Sequence, residues 1–382
     1  MKSLNLVILA HVDAGKTSLT ERLLYAAGVI DEVGRVDDGN TQTDTLPLEQ
    51  RRGITIRSAV VSFNIDDVTV NLIDTPGHSD FIAEVERILS VLDGAVLVIS
   101  AVEGVQAQTR VLMRALQRLR IPTLIFMNKV DRAGAEPDAV LQRISENLTP
   151  SVIGMGSPRD PGTRSAVCEP YDGADSAFAA QLVDLLTGQD ETLLATWIDD
   201  ERAVAYPRLR AELAAQTQKG LVHPVFFGSA TTGAGVEALA AGIAELLPSG
   251  QGAVDSQVSG TVFKVERGTA GEKIAYVRMF SGAIHVRDRL RLAREEVAKV
   301  TAIRVFEQGA ATEWATVRAG QIAKVWGLAQ VQIGDVIGER PTTYADRPQF
   351  SPPSLETVID PCRPADRGAL HAALIQLAEQ DP

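Results

Sequence analysis

The sequence predicts a doubly wound, mostly parallel α/β domain, then an antiparallel β-barrel, then the start of an α+β third domain. Three observations carry this reading. From Leu4 to about Pro248, near-continuous apolar runs (LNLVILA, VTVNLID, GAVLVIS, PTLIFMN, HPVFFGS) alternate with segments of helical spacing, as parallel strands covered on both faces require. Between Pro248 and Ser256 the composition turns small and polar, PSGQGAVDS, which suits a linker. Beyond it, GTVFKVE, KIAYVRMF, DRLRLA, AKVTAIRVF and QIAKVWGL are short, β-branched and aromatic, with glycines between them; a compact antiparallel barrel follows from that pattern.

The elements follow in order. The expected domains are residues 1–250, 256–342 and 353–382, with the proline-rich YADRPQFSPPSLETVIDP marking the last boundary. RGALHAALIQLAEQDP reads as an amphipathic helix that opens a third domain and leaves it unfinished. In the first domain, Phe81, Val85, Ile88, Leu89 and Leu92 share one face of a helix that Ser79 is placed to cap.

With 382 residues and 45% hydrophobic content, the chain has enough material for more than one core. Nothing in it reaches the length of an apolar membrane span, and the start MKSLNLVILAHVD meets His11 and Asp13 too early for a signal peptide; a cytoplasmic protein is expected. Cys168 and Cys362 have no CxxC or Cys/His spacing, so neither a disulfide framework nor a zinc site is indicated. A net charge of −12 argues against coating DNA or other free nucleic acid through bulk electrostatics. Between Val258 and Thr342, however, 13 Lys and Arg outnumber 9 Asp and Glu, either a basic docking region or a solvated mixture of charges. Trp197, Trp314 and Trp326 are expected to pack in cores or between domains, and His11, His223, His285 and His371 to be structural.

The chemistry concentrates at predicted strand ends. AHVDAGKT, Ala10 to Thr17, joins the first strand to a helix. A triphosphate needs successive backbone N–H groups, a helix N-terminus and a cation, here Lys16, while Thr17 offers a hydroxyl to Mg2+. The pattern GxxxxGK[ST] asks for glycine where this chain has Ala10, but Gly15-Lys16-Thr17 stands at the required junction. In DTPGH, Asp74 can hold Mg2+ through water, and Pro76-Gly77 lets a backbone N–H approach the γ-phosphate; a plain Pro-Gly turn is the alternative. In NKVD, Asp131 offers two acceptors to the N1–H and exocyclic amine of guanine, a pattern adenine cannot satisfy, with Asn128 and Lys129 as braces. Ser229-Ala230 ends the last strand, where a backbone N–H can meet the guanine oxygen, and RRGITI adds Thr55 as a Mg2+ ligand in a loop ordered by the γ-phosphate.

AHVDAGKT, RGITI, DTPGH, NKVD and GSA stand in the order of the translational GTPases, the family of elongation factor G, which they resemble. That branch also carries alanine at the place of Ala10, and SGAIHVRDRL and VQIGDVIGER resemble its second domain. Within the family, AHVDAGKTSLTERLLYAAGVIDEVG, DTPGHSDFIAEVERILSVLDGAVLVISAVEGVQAQTR and PPSLETVIDP look like the tetracycline-resistance ribosomal protection proteins of the oxytetracycline-resistance type.

The resemblance implies a P-loop GTPase that hydrolyses GTP to GDP, stimulated by ribosomal RNA and proteins, and acts as a monomer. It implies that Val12, Asp13, Ala14, Gly15, Lys16, Thr17 and Ser18 cradle the phosphates and that Gly77 meets the γ-phosphate. Thr17, Thr55 and Asp74 would hold Mg2+, and Asp13 a monovalent cation. His78 would orient the attacking water, helped by Lys16 and Asp13, with Val12 and Ile54 as an apolar gate before it. Family members continue past the point where this chain ends, so it resembles an N-terminal fragment expected to bind GTP without releasing tetracycline. Two other readings stay open: an elongation factor G-type translocase, and a non-hydrolysing guanine-nucleotide-binding module.

Overall fold

The computed structural model describes residues 2–34, 58–75, 82–199, 205–250, 252–292, 297–339 and 357–380. By contacts the chain divides into two compact units, residues 1–81 with 92–249, and residues 82–91 with 250–382.

The first unit opens with β1 (Lys2–Ala10), α1 (Lys16–Ala26), β2 (Ala59–Ile65) and β3 (Val68–Asp74). After α2 (Ile82–Leu89), which clusters with the second unit, come β4 (Gly94–Ser100), α3 (Ala107–Arg118), β5 (Thr123–Asn128) and α4 (Pro137–Asn147). Then follow β6 (Val152–Gly154) and a hairpin of β7 (Gly156–Arg159) and β8 (Val167–Pro170). The helices α5 (Ser176–Thr187), α6 (Glu191–Asp199) and α7 (Tyr206–Gln218), the strand β9 (His223–Phe227) and α8 (Val236–Leu246) complete it.

Seven strands form one sheet in the order β2-β3-β1-β4-β5-β9-β6, parallel except where β2 meets β3. The continuous apolar runs are explained by burial on both faces. Leu6, Ile8, Val96, Val98, Leu124 and Phe126 join one core with Leu19, Leu23, Leu213 and Leu239 of the helices, while the intervening Val7, Leu9, Leu97, Ile99, Ile125 and Met127 are as deeply buried on the other face.

The sequence reading missed two strands of this sheet, and the separate hairpin β7-β8 besides. In β2 (AVVSFNI) Ser62 and Asn64 interrupt the apolar run, and pairing comes from a tight hairpin whose turn residue Asp66 takes φ 50°, a conformation aspartate tolerates. The three residues of β6 are too few for any period to show.

A buried polar row crosses the sheet. The Asn5 backbone N–H and Nδ2 donate to Asp93 Oδ2 at 2.8 and 2.6 Å. Asn71 Nδ2 donates to Asn5 Oδ1, and Ser62 Oγ to Asn71 Oδ1, each at 3.0 Å. A slip of one residue would turn these groups toward the other face, so the row fixes the register of β2, β3 and β1.

In the second unit, β10 (Ser259–Arg267), β11 (Lys273–Ser281), β12 (Ala283–His285), β13 (Arg289–Arg291) and β14 (Val297–Lys299) precede β15 (Ala302–Glu307), β16 (Ala310–Glu313), β17 (Thr316–Arg318), β18 (Ile322–Trp326) and β19 (Val336–Gly338). Every pairing is antiparallel: a six-stranded sheet, β16-β15-β18-β11-β10-β19, with the two-stranded sheets β12-β17 and β13-β14, around one core that includes Val262, Val277, Ile303, Val317 and Val325.

On another face of this sheet, Tyr276 donates its phenol to Glu266 Oε2 at 2.6 Å, and Lys264 pairs with Glu266 Oε1 at 2.7 Å. Lys264 and Lys324 each stand 4.9 Å from the centre of the Tyr276 ring. Burial alone would push the Glu266 carboxyl up, but Lys264, the Tyr276 hydroxyl and Lys324 outweigh it and hold the group below its ordinary value.

In α2, Val85, Ile88 and Leu89 are buried as their spacing predicts; Ser79 and Phe81 lie outside the described residues. The helix expected from RGALHAALIQLAEQDP forms as α9 (Arg367–Gln380), but none of its residues is buried, and Leu374, Ile375 and Leu377 stay exposed. Glu379 ties it to β10 and β11 through Arg267 and Lys273. Trp197 packs on the first core and Arg304 lies over Trp326. Trp314 corrects the expectation of packing: it is 48% exposed beyond the edge strand β16, its indole N–H bonded to Thr312 Oγ1.

Asn71→Ala removes the middle of the polar row and takes one buried hydrogen bond from each of Ser62 and Asn5. A loss of about 1–3 kcal/mol is expected in urea unfolding followed on the first unit.

Candidate functional site

Parallel strands end at a common edge, and here β1, β3, β5 and β9 end at one side of the sheet. The order reverses about β1, with β3 on one side of it and β4 on the other. Open α/β sheets bind ligands outside such a point.

The loop after β1 is shaped by two left-handed residues, Asp13 at φ 64° and Gly15 at φ 94°, flanking Ala14, whose N–H donates to His11 O at 3.2 Å. Alternating handedness turns successive N–H groups inward as an anion nest. Ala10, by contrast, ends an extended strand and has no positive φ, so the position needs no glycine. Gly15 is required twice over, since a Cβ there would lie 2.2 Å from Asn128 Nδ2. Val12 and Asp13 are exposed, Ala14 is buried, and Thr17 and Ser18 are half-buried at the start of α1.

Lys16 opens α1 and reaches across to Asp74 at the end of β3, making a buried ion pair with Oδ1. Asp74 is fully buried, and its Oδ2 has no hydrogen-bond partner among the described residues. A buried carboxylate oxygen left so is costly, and it fits an incoming cation or a cation's water.

Asn128 joins two loops. Its Nδ2 donates to Ala14 O at 2.8 Å and its Oδ1 accepts from the Ala230 N–H at 2.9 Å. Lys129 follows in a left-handed conformation, φ 67°, and its Nζ donates to Glu103 Oε1 at 3.0 Å. Asp131 is half-buried and its carboxylate makes no hydrogen bond or ion pair with any described residue, so both oxygens can serve a ligand. Ser229 and Ala230 are buried, and their N–H groups are both engaged, the first by Ala234 O at 2.9 Å and the second by Asn128. The next N–H along belongs to Thr231.

Among the predicted residues, Val12, Asp13, Ala14, Gly15, Lys16, Thr17, Ser18, Asp74, Asn128, Lys129, Asp131, Ser229 and Ala230 thus converge on one sheet edge. Thr55, Gly77 and His78, and Ile54 of the expected gate, lie outside the described residues.

Three polar residues at this edge escaped the sequence reading. Arg22 of α1 donates to the carbonyls of Ala230 and Thr231 at 3.0 and 2.6 Å. Glu103 follows β4, and Thr109 of α3 has its hydroxyl 3.4 Å from His11 Nδ1. Only Glu103 left a trace in the sequence, a carboxylate just past the end of the apolar run GAVLVIS. His11 itself is buried below the loop, and burial chiefly lowers its pKa; Glu103 and Asp13 oppose that and Lys129 adds to it.

Known proteins resemble this chain along its whole length. The family model of the elongation factor Tu GTP binding domain matches residues 1–249, and that of elongation factor Tu domain 2 matches residues 272–338. The oxytetracycline resistance protein of Streptomyces rimosus is 54% identical over all of this chain and 59% of its own length. The tetracycline resistance protein TetM of Streptomyces lividans is 47% identical over all of this chain and 60% of its own. A crystal structure of a Thermus thermophilus protein superposes with a TM-score of 0.85 at 25% identity, over 99% of this chain and 61% of that one. The chain therefore spans about three fifths of the length of the relatives it matches.

Burial also lowers the pKa of His223. A histidine held neutral in the fold takes up its proton first in the unfolded chain, near the ordinary value of 6.5, so stability falls as pH drops below that value and the loss ends at the lowered folded pKa. Melting temperatures read between pH 7.5 and 5.5 are expected to decline for the parent chain, and less steeply for His11→Gln and His223→Gln.

Proposed function

The chain belongs to the family of the elongation factor Tu GTP-binding domain, and from that premise we propose that it binds GTP with Mg2+ and hydrolyses it on the ribosome within a tetracycline-protection cycle. One observation carries the nucleotide part: the buried Lys16–Asp74 pair with its unpartnered Oδ2. Such a pair is a poor source of stability by itself. It is well suited to exchange, with the Lys16 ammonium passing to the β- and γ-phosphate oxygens and the Asp74 carboxylate turning to the metal side. Thr17, Asp74 and Thr55 would hold Mg2+, which when bound neutralises charge on the phosphate oxygens.

The nest formed by Asp13, Ala14 and Gly15 receives the phosphates, with Val12 and Ser18 at its rim; a monovalent cation beside Asp13 is part of the proposal. Asp131 accepts from the N1–H and amine of guanine. The guanine oxygen meets the loop at Ser229-Ala230-Thr231, and since the first two N–H groups are engaged within the protein, Thr231 supplies the donor. His78 orients the attacking water and Gly77 meets the γ-phosphate, with Val12, 41% exposed, and Ile54 as the apolar gate.

The likeness to the two named resistance proteins supports the ribosome as partner and tetracycline protection as the setting. The matched three fifths contain the nucleotide domain and the barrel, so this chain supplies the part that binds and hydrolyses GTP. Among the described residues no helix is long and apolar enough to cross a membrane; the cytoplasm is the proposed place of action. A monomer is the proposed form.

Asp131→Asn is expected to weaken GTP and strengthen xanthosine triphosphate in a competition titration; an unchanged preference would remove Asp131 from base recognition. His78→Ala is expected to leave GTP affinity near the parent's and to lower ribosome-stimulated phosphate release by about 10²–10⁴-fold. Run on a protein that carries this chain at the full length of its relatives, ribosomes bearing labelled tetracycline report whether drug leaves with GTP turnover. Phosphate release without drug release would move the assignment to another ribosomal GTPase reaction.

A further inference from the structure

We propose that Glu103 is a positioning residue for the guanine nucleotide, holding Lys129 of the NKVD loop in place and thereby setting how long the nucleotide stays bound. The proposal rests on the guanine-nucleotide reading above and adds a residue outside its motifs.

The carboxylate stands on a loop built to keep it still. Ser100 Oγ donates to Glu103 Oε2 and accepts from the backbone N–H groups of Val102 and Glu103 at 3.1 and 3.2 Å. The Gly104 N–H donates to Ser100 O at 2.9 Å and closes the turn. Gln106 Nε2 donates to Glu103 O at 2.6 Å, and the Gln106 N–H donates to Thr109 Oγ1 at 3.3 Å, so the loop runs directly into the cap of α3. The Ala101 N–H donates to Asn128 O at 2.7 Å, fastening the same loop to the residue before Lys129.

Glu103 Oε1 is left facing Lys129, its cation partner at 3.0 Å. Lysine has a long, freely rotating stem, and holding it before the ligand arrives removes that ordering cost from binding. The left-handed backbone of Lys129 fixes only where the stem begins; Glu103 fixes where it ends. Burial raises the Glu103 carboxyl, but the hydrogen bond and charge of Lys129 outweigh it, so the group stays ionised and the clamp persists across neutral pH.

The test is stopped-flow binding of a fluorescent GDP to the full chain and to Glu103→Gln and Glu103→Asp, each with its melting temperature, at low and high salt. Glu103→Gln is expected to speed GDP dissociation by about two- to tenfold, the scale of ordering one long side chain, with association and melting temperature near the parent's. Glu103→Asp is expected to recover part of the loss. Dissociation from the parent is expected to quicken with salt, as a half-exposed ion pair is screened, and that slope is expected to flatten in Glu103→Gln. A Glu103→Gln chain that releases GDP like the parent overturns the proposal while leaving the nucleotide reading intact. Equal losses in both variants with an unchanged salt slope assign the effect to the loop's folding and also overturn it. A parent chain that binds no GDP overturns both.

Discussion

A lysine and an aspartate buried together at the edge of a sheet constrain everything around them. Lys16 opens the helix that follows β1 and Asp74 ends β3, the adjacent parallel strand, and two such charges can be taken from water only with close geometry and further partners. Their position is therefore set by the register of the sheet. The row Asp93, Asn5, Asn71 and Ser62 keeps that register within the same strands. A polar row in the middle of an apolar sheet thus serves a charged pair at its end, and the orphaned oxygen of Asp74 shows where the arrangement is incomplete by itself.

Asn128 extends this order sideways. With one amide it holds the carbonyl of Ala14 and the N–H of Ala230, so the loops after β1 and β9 cannot shift independently. The same amide occupies the space a side chain at position 15 would need. Glycine at that position is thus demanded by a neighbour as well as by its own φ of 94°. Arg22 fastens the carbonyls of Ala230 and Thr231 to α1, the helix that begins with Lys16. The two ends of the proposed nucleotide site therefore share a rigid frame, of the kind a tightly held ligand needs.

The barrel resolves an ambiguity that charge counting left open. Its surplus of Lys and Arg suggested either a docking surface or a mixed solvated face. Part of it is neither: Lys264 and Lys324 lie over Tyr276 and share Glu266, while Arg304 lies over Trp326. Burial lowers the pKa of Lys324 and raises that of Tyr276, with Glu266 acting on both. Cations on aromatic faces are attracted by the ring quadrupole, so these charges help to hold a sheet face together.

What the sequence determined was local or periodic. Five of the seven strands in the large sheet are legible because both their faces are buried, which writes an unbroken apolar run into LNLVILA or PTLIFMN. The motifs proposed to hold the nucleotide are legible because phosphate, metal and guanine would each demand fixed residue types within a few positions, as in Gly15-Lys16-Thr17 or Asn128 to Asp131. Tertiary structure alone decided the rest. The strand β2 takes its place from a hairpin partner, despite Ser62 and Asn64 in its run. The exposure of Trp314 and of the apolar side of α9 follows from what does or does not pack beside them. Glu103 meets Lys129 across 26 residues, and Arg22 meets Ala230 across 208; contacts at such separations arise from strand order, which no window along the chain records.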